Sequence, residues 1–334
     1  MAVGILGDRA SGKTTFLILL YAAAQIYNTL KEDRFRFTAR DPRSYNWLTG
    51  VYAYLESKGH FPDANLKGEW TEIKLRFGFR RGSKDVLPRW ITDRMVKNPF
   101  NTFDAAVYDI SGEDVREFVE TGMAGNEVLE NLFASNVAIF LIDCSRFSLD
   151  PTKLQLREKA VRYDGKVGSV IKTFEAYKVQ VRDETGRAKS KLYPIFIFSK
   201  WDMIGQDVLA HLQLRPHPPP PDKEKERDRY FGEILRSFMT QTFSVKQGAR
   251  LSYVNLDNAA FFPSWVDLEK EEGMPRIEDG GFVVKRERTP GQRHSVNLRF
   301  SATEYIALID HLGWIAARAP DDIKGRDDLE KFRG

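Results

Sequence analysis

The sequence predicts an α/β fold built on a mostly parallel sheet, and three observations lead there. Short apolar runs recur along the chain, separated by amphipathic helical stretches. Three of those runs (Ala105 to Tyr108, Val137 to Ile142 and Ile195 to Phe198) are apolar throughout, as strands covered on both faces are. No internal repeat at a fixed period competes with this reading.

Each element follows from its residues. Val3 to Leu6 is a first strand, with no domain expected before it. Phe16, Leu17, Leu19, Leu20 and Ala23 then line a helix. Trp70 to Phe79 alternates through Ile73, Leu75, Phe77 and Phe79, the period of a half-buried strand. Ala259 to Phe262 is the candidate for the last strand. Tyr230, Phe231, Ile234, Leu235, Phe238 and Met239 form one helical stripe, and Tyr305, Leu308, Ile309, Leu312 and Ile315 another. Ser301 with Glu304 predicts a capping box at the start of the latter. Phe282 to Arg299 reads as a late β-hairpin turning at Pro290-Gly291. Pro216 to Pro221 predicts a stiff, extended stretch that turns charged. We therefore expect one domain over residues 1–317, with insertions near 82–102, 183–191, 205–228 and 266–300, and a polar tail at 318–334.

Composition narrows the classes. The chain has 334 residues, 42% hydrophobic and 29% charged, which suits a soluble globular protein. Its net charge of +4, from 51 basic and 47 acidic residues, is too small over this length to imply nucleic-acid or membrane binding. The late hairpin is locally basic through Lys285, Arg286, Arg288, Arg293 and His294, which we read as a solvated surface. Cys144 is the only cysteine, so no intrachain disulfide can form and a reducing interior is expected. No apolar run reaches a bilayer's span, and the N-terminus lacks a signal-peptide pattern. A cytoplasmic location follows as the expectation.

The sharpest motif is Gly7-Asp8-Arg9-Ala10-Ser11-Gly12-Lys13-Thr14, a complete Gly-x-x-x-x-Gly-Lys-Ser/Thr phosphate loop. Chance would supply such a pattern in about one chain of this size in a hundred. Here it also follows a strand and opens a helix. A glycine turn with a surface lysine is the competing explanation, and that context weighs against it. Glycines let the backbone wrap phosphates, while successive N–H groups and the helix N-terminus attract negative charge. Asp8, Arg9, Ala10, Ser11, Gly12, Lys13, Thr14 and Thr15 are thus the expected phosphate contacts. Lys13 would reach the β- and γ-phosphates and Thr14 would ligate Mg²⁺. Arg9 can touch a phosphate oxygen or point to solvent. The predicted fold is accordingly a three-layer P-loop sheet, mostly parallel with one antiparallel strand.

Two looser motifs gain meaning from position. Asp-x-x-Gly starts at Asp109, Asp183, Asp202, Asp310 and Asp322, and only Asp109 ends an apolar strand. There the carboxylate can reach a phosphate-bound Mg²⁺, and Gly112 can donate its N–H to a γ-phosphate. A strand-end aspartate capping a turn is the alternative. Lys-x-Asp occurs at Lys31-Glu32-Asp33, in polar surroundings, and in Ser199-Lys200-Trp201-Asp202, directly after the strand at Ile195. In the second place the Lys200 stem can lie against a base while Asp202 accepts from guanine N1–H and N2–H₂. Adenine lacks that donor pair. An ordinary strand-to-helix turn is the alternative here.

Taken in order, these residues resemble Ras- and Arf-like GTPases of the translation-factor-related class. Gly7 to Thr15 resembles the Arf-type loop, and Asp109-Ile110-Ser111-Gly112-Glu113 resembles switch II as found in prokaryotic double-GTPase-type domains. Ser199 to Asp202 matches the base-specificity motif, with Ser199 where Asn or Thr is usual. Phe262-Pro263-Ser264 resembles the last base-contacting loop, which makes Ser264 a nucleotide-binding candidate. The resemblance implies GTP or GDP with Mg²⁺ held at Thr14 and Asp109, and catalysis by Lys13, Gly112 and Glu113. Glu113 stands where glutamine is usual, so slow hydrolysis is expected. The switch I ligand is Asn65 or Thr71. A guanine-nucleotide switch with an unidentified effector or activating protein is the leading functional expectation. A P-loop ATPase and a non-hydrolysing GTP-bound adaptor are the others.

Overall fold

A computed structural model describes residues 2–7, 11–30, 35–61, 70–80, 100–110, 117, 137–147, 193–238, 259–271, 274–278, 281–288 and 296–318. Two of the all-apolar runs become fully buried strands, while in the third, Ala105 to Tyr108, Val107 is buried and Ala106 half-buried. In β5 (Val137–Asp143) and β6 (Tyr193–Ser199) every residue is buried, which only a strand covered on both faces allows. They sit beside β1 (Ala2–Leu6) and β7 (Ala260–Ser264), with β4 (Phe100–Ile110) on the far side of β1. Next come β3 (Trp70–Arg80) and an edge strand, β2 (Phe35–Ala39), giving the order β2-β3-β4-β1-β5-β6-β7.

Strand β3 pairs antiparallel with both β2 and β4, whereas β4, β1, β5, β6 and β7 pair parallel with one another. One strand thus runs against six, as the sequence predicts. Alternation decides which face each residue serves. Val137, Ile139 and Leu141 of β5, with Ile195 and Ile197 of β6, join the cluster formed with α1 (Lys13–Leu30) and α5 (Ala302–Arg318). Phe140, Phe196 and Phe261 point the other way and stack in sequence at 5.4 and 5.5 Å. Phe231 of α4 (Glu224–Phe238) covers that stack, 4.7 Å from the Phe198 ring. The layers are helix, sheet and helix.

Helix α2 (Pro42–Lys58) and strand β2 were not anticipated from the sequence. The helix begins where the Asp41 carboxylate accepts from the Ser44 N–H at 2.8 Å, with Pro42 in its first turn. It ends at Gly59, whose φ of 72° lets its N–H reach the Leu55 carbonyl at 2.9 Å. Strand β2 follows from its pairing with β3, Phe35 opposite Phe79 through Ala39 opposite Leu75.

Of the insertion expected at 82–102, residues 100–102 belong to β4 and the rest lie outside the described residues, as do the stretch 183–191, the turn at Pro290-Gly291 and the tail beyond 318. The 205–228 stretch is more ordered than expected. It contains α3 (Gln206–His211), and its proline run is pinned by Arg227, which donates to the Pro219 carbonyl at 2.6 Å. The late hairpin forms from β12 (Arg286–Arg288) and β13 (Val296–Leu298). It follows two short antiparallel pairs, β8 (Lys270–Glu271) with β9 (Met274–Pro275), and β10 (Ile277–Glu278) with β11 (Gly281–Phe282).

The capping box needs correction. The Ser301 hydroxyl engages the backbone of Trp265, accepting from its N–H at 3.2 Å. Glu304 turns instead to Arg227, making two contacts at 2.7 and 3.2 Å. Both side chains are drawn off by buried groups that would otherwise lack partners, and that demand outweighs a cap.

Candidate functional site

Register places the site at the carboxyl ends of the parallel strands. Asp143, Ser199 and Ser264 form one row across β5, β6 and β7. Leu6, the last residue of β1, stands opposite Phe140, three positions below that row. The chain turns to β2, β3 and β4 on one side of β1 and to β5 on the other, the switch point at which sheets of this kind bind ligands in the crevice outside their strand ends.

At the low end of the crevice lies the phosphate loop. Asp8, Arg9 and Ala10 are outside the described residues, while Gly7 and Ser11 to Thr15 are within them. Gly12 has φ of 88°, a left-handed value that favours glycine, and its carbonyl accepts the first helical bond from Phe16 N–H at 2.8 Å. A Cβ on Gly7 would collide with the Ser11 hydroxyl. Lys13 is buried, and its Nζ donates to the Gly7 carbonyl at 3.0 Å across the loop. Ser11 is fully buried, and its hydroxyl has no hydrogen-bond partner among the described residues. A buried ammonium, an orphan hydroxyl and a helix N-terminus fit an anion such as a polyphosphate. Thr14 and Thr15 are half-buried in the first turn of α1.

Asp109 lies one residue from the end of β4, paired in register with Thr71 of β3. Thr71 is half-buried, while the Asp109 side chain lies outside the described residues, as do Asn65, Gly112 and Glu113. No cluster of three His, Cys, Asp or Glu forms a metal cage among the described residues. A hydroxyl such as that of Thr14 is a donor type suited to Mg²⁺, which takes few protein ligands and several from phosphate and water.

The other end is built around Lys200. It follows β6 with φ 53° and ψ 42°, a left-handed conformation unusual for a residue with a side chain. Its Nζ meets the Asp143 carboxylate at 2.7 Å, and Asp143 is almost wholly buried. The other Asp143 oxygen accepts from Ser145 N–H at 3.1 Å and Ser145 Oγ–H at 2.6 Å. Ser199 is buried and donates to the Ile142 carbonyl at 3.2 Å, tying the two strand ends together. Asp202 sits in the following 3-10 turn, Trp201–Met203, and is exposed. Protein on several sides still desolvates its carboxyl and pushes it up to about 6, with Asp267 raising it further and Lys270 and Lys200 opposing.

The Ser264 hydroxyl is buried and shares a 2.6 Å hydrogen bond with Tyr305 of α5, at the carboxyl end of β7. Burial raises the Tyr305 phenol, with the Ser264 bond partly opposing. Asp143, Asp267 and Lys270 escaped the sequence reading. A single charged residue closing an all-apolar strand was the available signal for Asp143.

The strand order, the parallel core with one antiparallel strand and the loop after β1 are those of a P-loop GTPase-like fold. Among solved structures the chain is similar to the GTPase-like domain of S. cerevisiae Ski7 bound to GTP, with 16% identity and a TM-score of 0.31. That match covers 79% of this chain and 42% of the other, so the chain spans less than half of that relative's length. It is also similar to the signal recognition particle receptor SRb-GTP/SRX complex from Chaetomium thermophilum, with 11% identity, a TM-score of 0.36, and coverage of 78% and 91%. Likenesses this distant add nothing about individual residues. No protein-family model and no curated protein matches the chain.

Proposed function

We propose that this chain binds guanine nucleotide with Mg²⁺ and hydrolyses GTP slowly, as a nucleotide-dependent switch, within one domain spanning 1–317. One observation supports the reading: the loop that holds Lys13 and the turn that holds Lys200 and Asp202 both follow the carboxyl ends of parallel strands in one sheet. Lys13 already points across its loop, so binding phosphate costs it little further ordering. Thr14 and Asp109 would hold Mg²⁺, which neutralises phosphate charge when bound. Asp202, ionised, accepts two hydrogen bonds from guanine and finds no such pair on adenine.

Positioning and charge neutralisation supply most of the catalysis such a site needs. Glu113 can only accept hydrogen bonds, and its charge opposes that of a phosphate. Turnover below about 1 s⁻¹ follows, closer to an unassisted switch than to an ordinary enzyme. A partner supplying a positive charge would accelerate it.

Titration of the full chain with fluorescent GTP and ATP analogues in Mg²⁺, followed by single-turnover hydrolysis, tests the reading. GTP should bind far more tightly. Equal affinity overturns the guanine assignment, tighter ATP points to an ATPase, and bound but uncleaved GTP points to the adaptor.

A further inference from the structure

We propose that Asp143 is a positioning residue for base selection: it anchors the Lys200 ammonium so that the lysine stem is held as a fixed platform beside Asp202. The inference rests on the guanine-nucleotide reading and deepens it.

The argument begins with an unfavourable backbone. Lys200 adopts φ 53°, a left-handed conformation that strains a side-chain-bearing residue. Such a conformation persists only where its surroundings over-determine it. Two bonds do so here: the Lys200 carbonyl accepts from Met203 N–H at 2.9 Å, and the Lys200 ammonium reaches Asp143 at 2.7 Å. The side chain is thereby fixed at both ends. Its methylenes span the gap between the end of β5 and the turn that carries Asp202.

Asp143 is itself held rigidly. It is almost wholly buried, level in register with Ser199, and its second oxygen is occupied by both donors of Ser145. A freely rotating lysine would lose rotamer entropy on meeting a flat base, whereas an anchored one has already lost it. Capping the short 3-10 turn at Cys144–Arg146 does not account for the whole arrangement. That job uses one oxygen, and the other faces Lys200.

The test compares full-length wild type, Asp143→Asn, Lys200→Met and the double variant. Binding of GTP, ATP and inorganic tripolyphosphate is measured for each, with melting as a fold control. Asn can keep the bonds to Ser145 but presents an amide to Lys200. Asp143→Asn should lower the GTP-over-ATP ratio about tenfold, as losing one charge-assisted bond does, and leave tripolyphosphate affinity unchanged. Adding Asp143→Asn to Lys200→Met should then change the ratio no further. If Asp143→Asn fails to fold, Ser145→Ala removes one strut and should lower the ratio about twofold to threefold, again sparing tripolyphosphate.

A wild-type GTP preference that survives Asp143→Asn, or survives Ser145→Ala where only that variant folds, overturns the proposal. So does an equal loss of tripolyphosphate binding, or an undiminished effect in the Lys200→Met background. A wild type that binds GTP and ATP equally overturns the guanine reading itself, and is distinguishable because the variants are then not needed.

Discussion

Lys13 shows how little a single residue needs in order to act. Its ammonium is buried, held 3.0 Å from the Gly7 carbonyl, and directed across the loop by the turn at Gly12. Lys13→Ala should weaken nucleotide binding at least about 100-fold, because a charged group facing phosphate contributes more than a neutral donor. Near-wild-type binding in a fluorescence titration would refute the phosphate-loop assignment. At the other end, Asp202→Asn removes one of two acceptors for guanine. GTP affinity should fall by roughly 1–3 kcal/mol while xanthine nucleotide gains relative to guanine. An unchanged base preference would remove Asp202 from the site.

Asp202 also sets a pH dependence. Desolvation, the leading cause, raises its carboxyl to about 6, so the folded chain takes up this proton more readily than the unfolded chain does. The cost to folding is present above about pH 6 and relieved as pH falls below it. Base reading runs the other way, since only the ionised carboxylate accepts both guanine bonds. The GTP-over-ATP ratio should hold from pH 7 to 8 and drop as pH falls through 6. Taking a ratio cancels the titration of the phosphates common to both nucleotides. A flat ratio from pH 5 to 8 would contradict this.

At the scale of elements, α4 and α5 meet through one buried charge pair. Arg227 is almost wholly buried, makes two contacts with Glu304, and donates to the carbonyls of Pro219 and Phe261. Burial raises the Glu304 carboxyl, while the Arg227 guanidinium opposes that shift. Arg227→Ala would leave a buried carboxylate and two carbonyls without donors. It should cost roughly 3–5 kcal/mol in urea unfolding, whereas Arg227→Met with Glu304→Leu should recover most of that loss. A single variant within about 1 kcal/mol of wild type would show that water replaces the pair.

Across the molecule, α5 links both ends of the crevice. Tyr305 bonds to Ser264 at the end of β7 and lies 5.5 Å from Phe16 in the first turn of α1. A nucleotide seated on both ends should therefore stabilise the whole sheet. At a hundred times its Kd a ligand adds about 2.7 kcal/mol. For a chain of this size that shifts melting by roughly 5 °C. The shift should appear with GTP and Mg²⁺ and be absent with ATP at the same concentration, as read by calorimetry. Equal shifts would leave a nucleotide site without guanine selectivity. No described helix is long and apolar enough to cross a membrane.

The sequence by itself determined the buried strands and the phosphate loop. Val137 to Ile142 and Ile195 to Phe198 have no polar alternation to lose, so burial on both faces was written into their composition. Gly12 and Lys13 were legible because a phosphate loop needs those residue types at a fixed local spacing. Helix α2 has start and stop signals in Asp41-Pro42 and Gly59, but its buried face is too sparse, at Ser44, Leu48 and Leu55, to give a clear helical period. Strand β2 was not legible, since five residues become an edge strand only by pairing with β3. The capping box at Ser301 was overruled because Arg227, distant in sequence, needed Glu304 once both were buried. Only the tertiary structure could place Asp143 against Lys200, 57 residues apart in sequence. Local pattern specifies local geometry; a buried charge chooses its partner from whatever the folded sheet brings within reach.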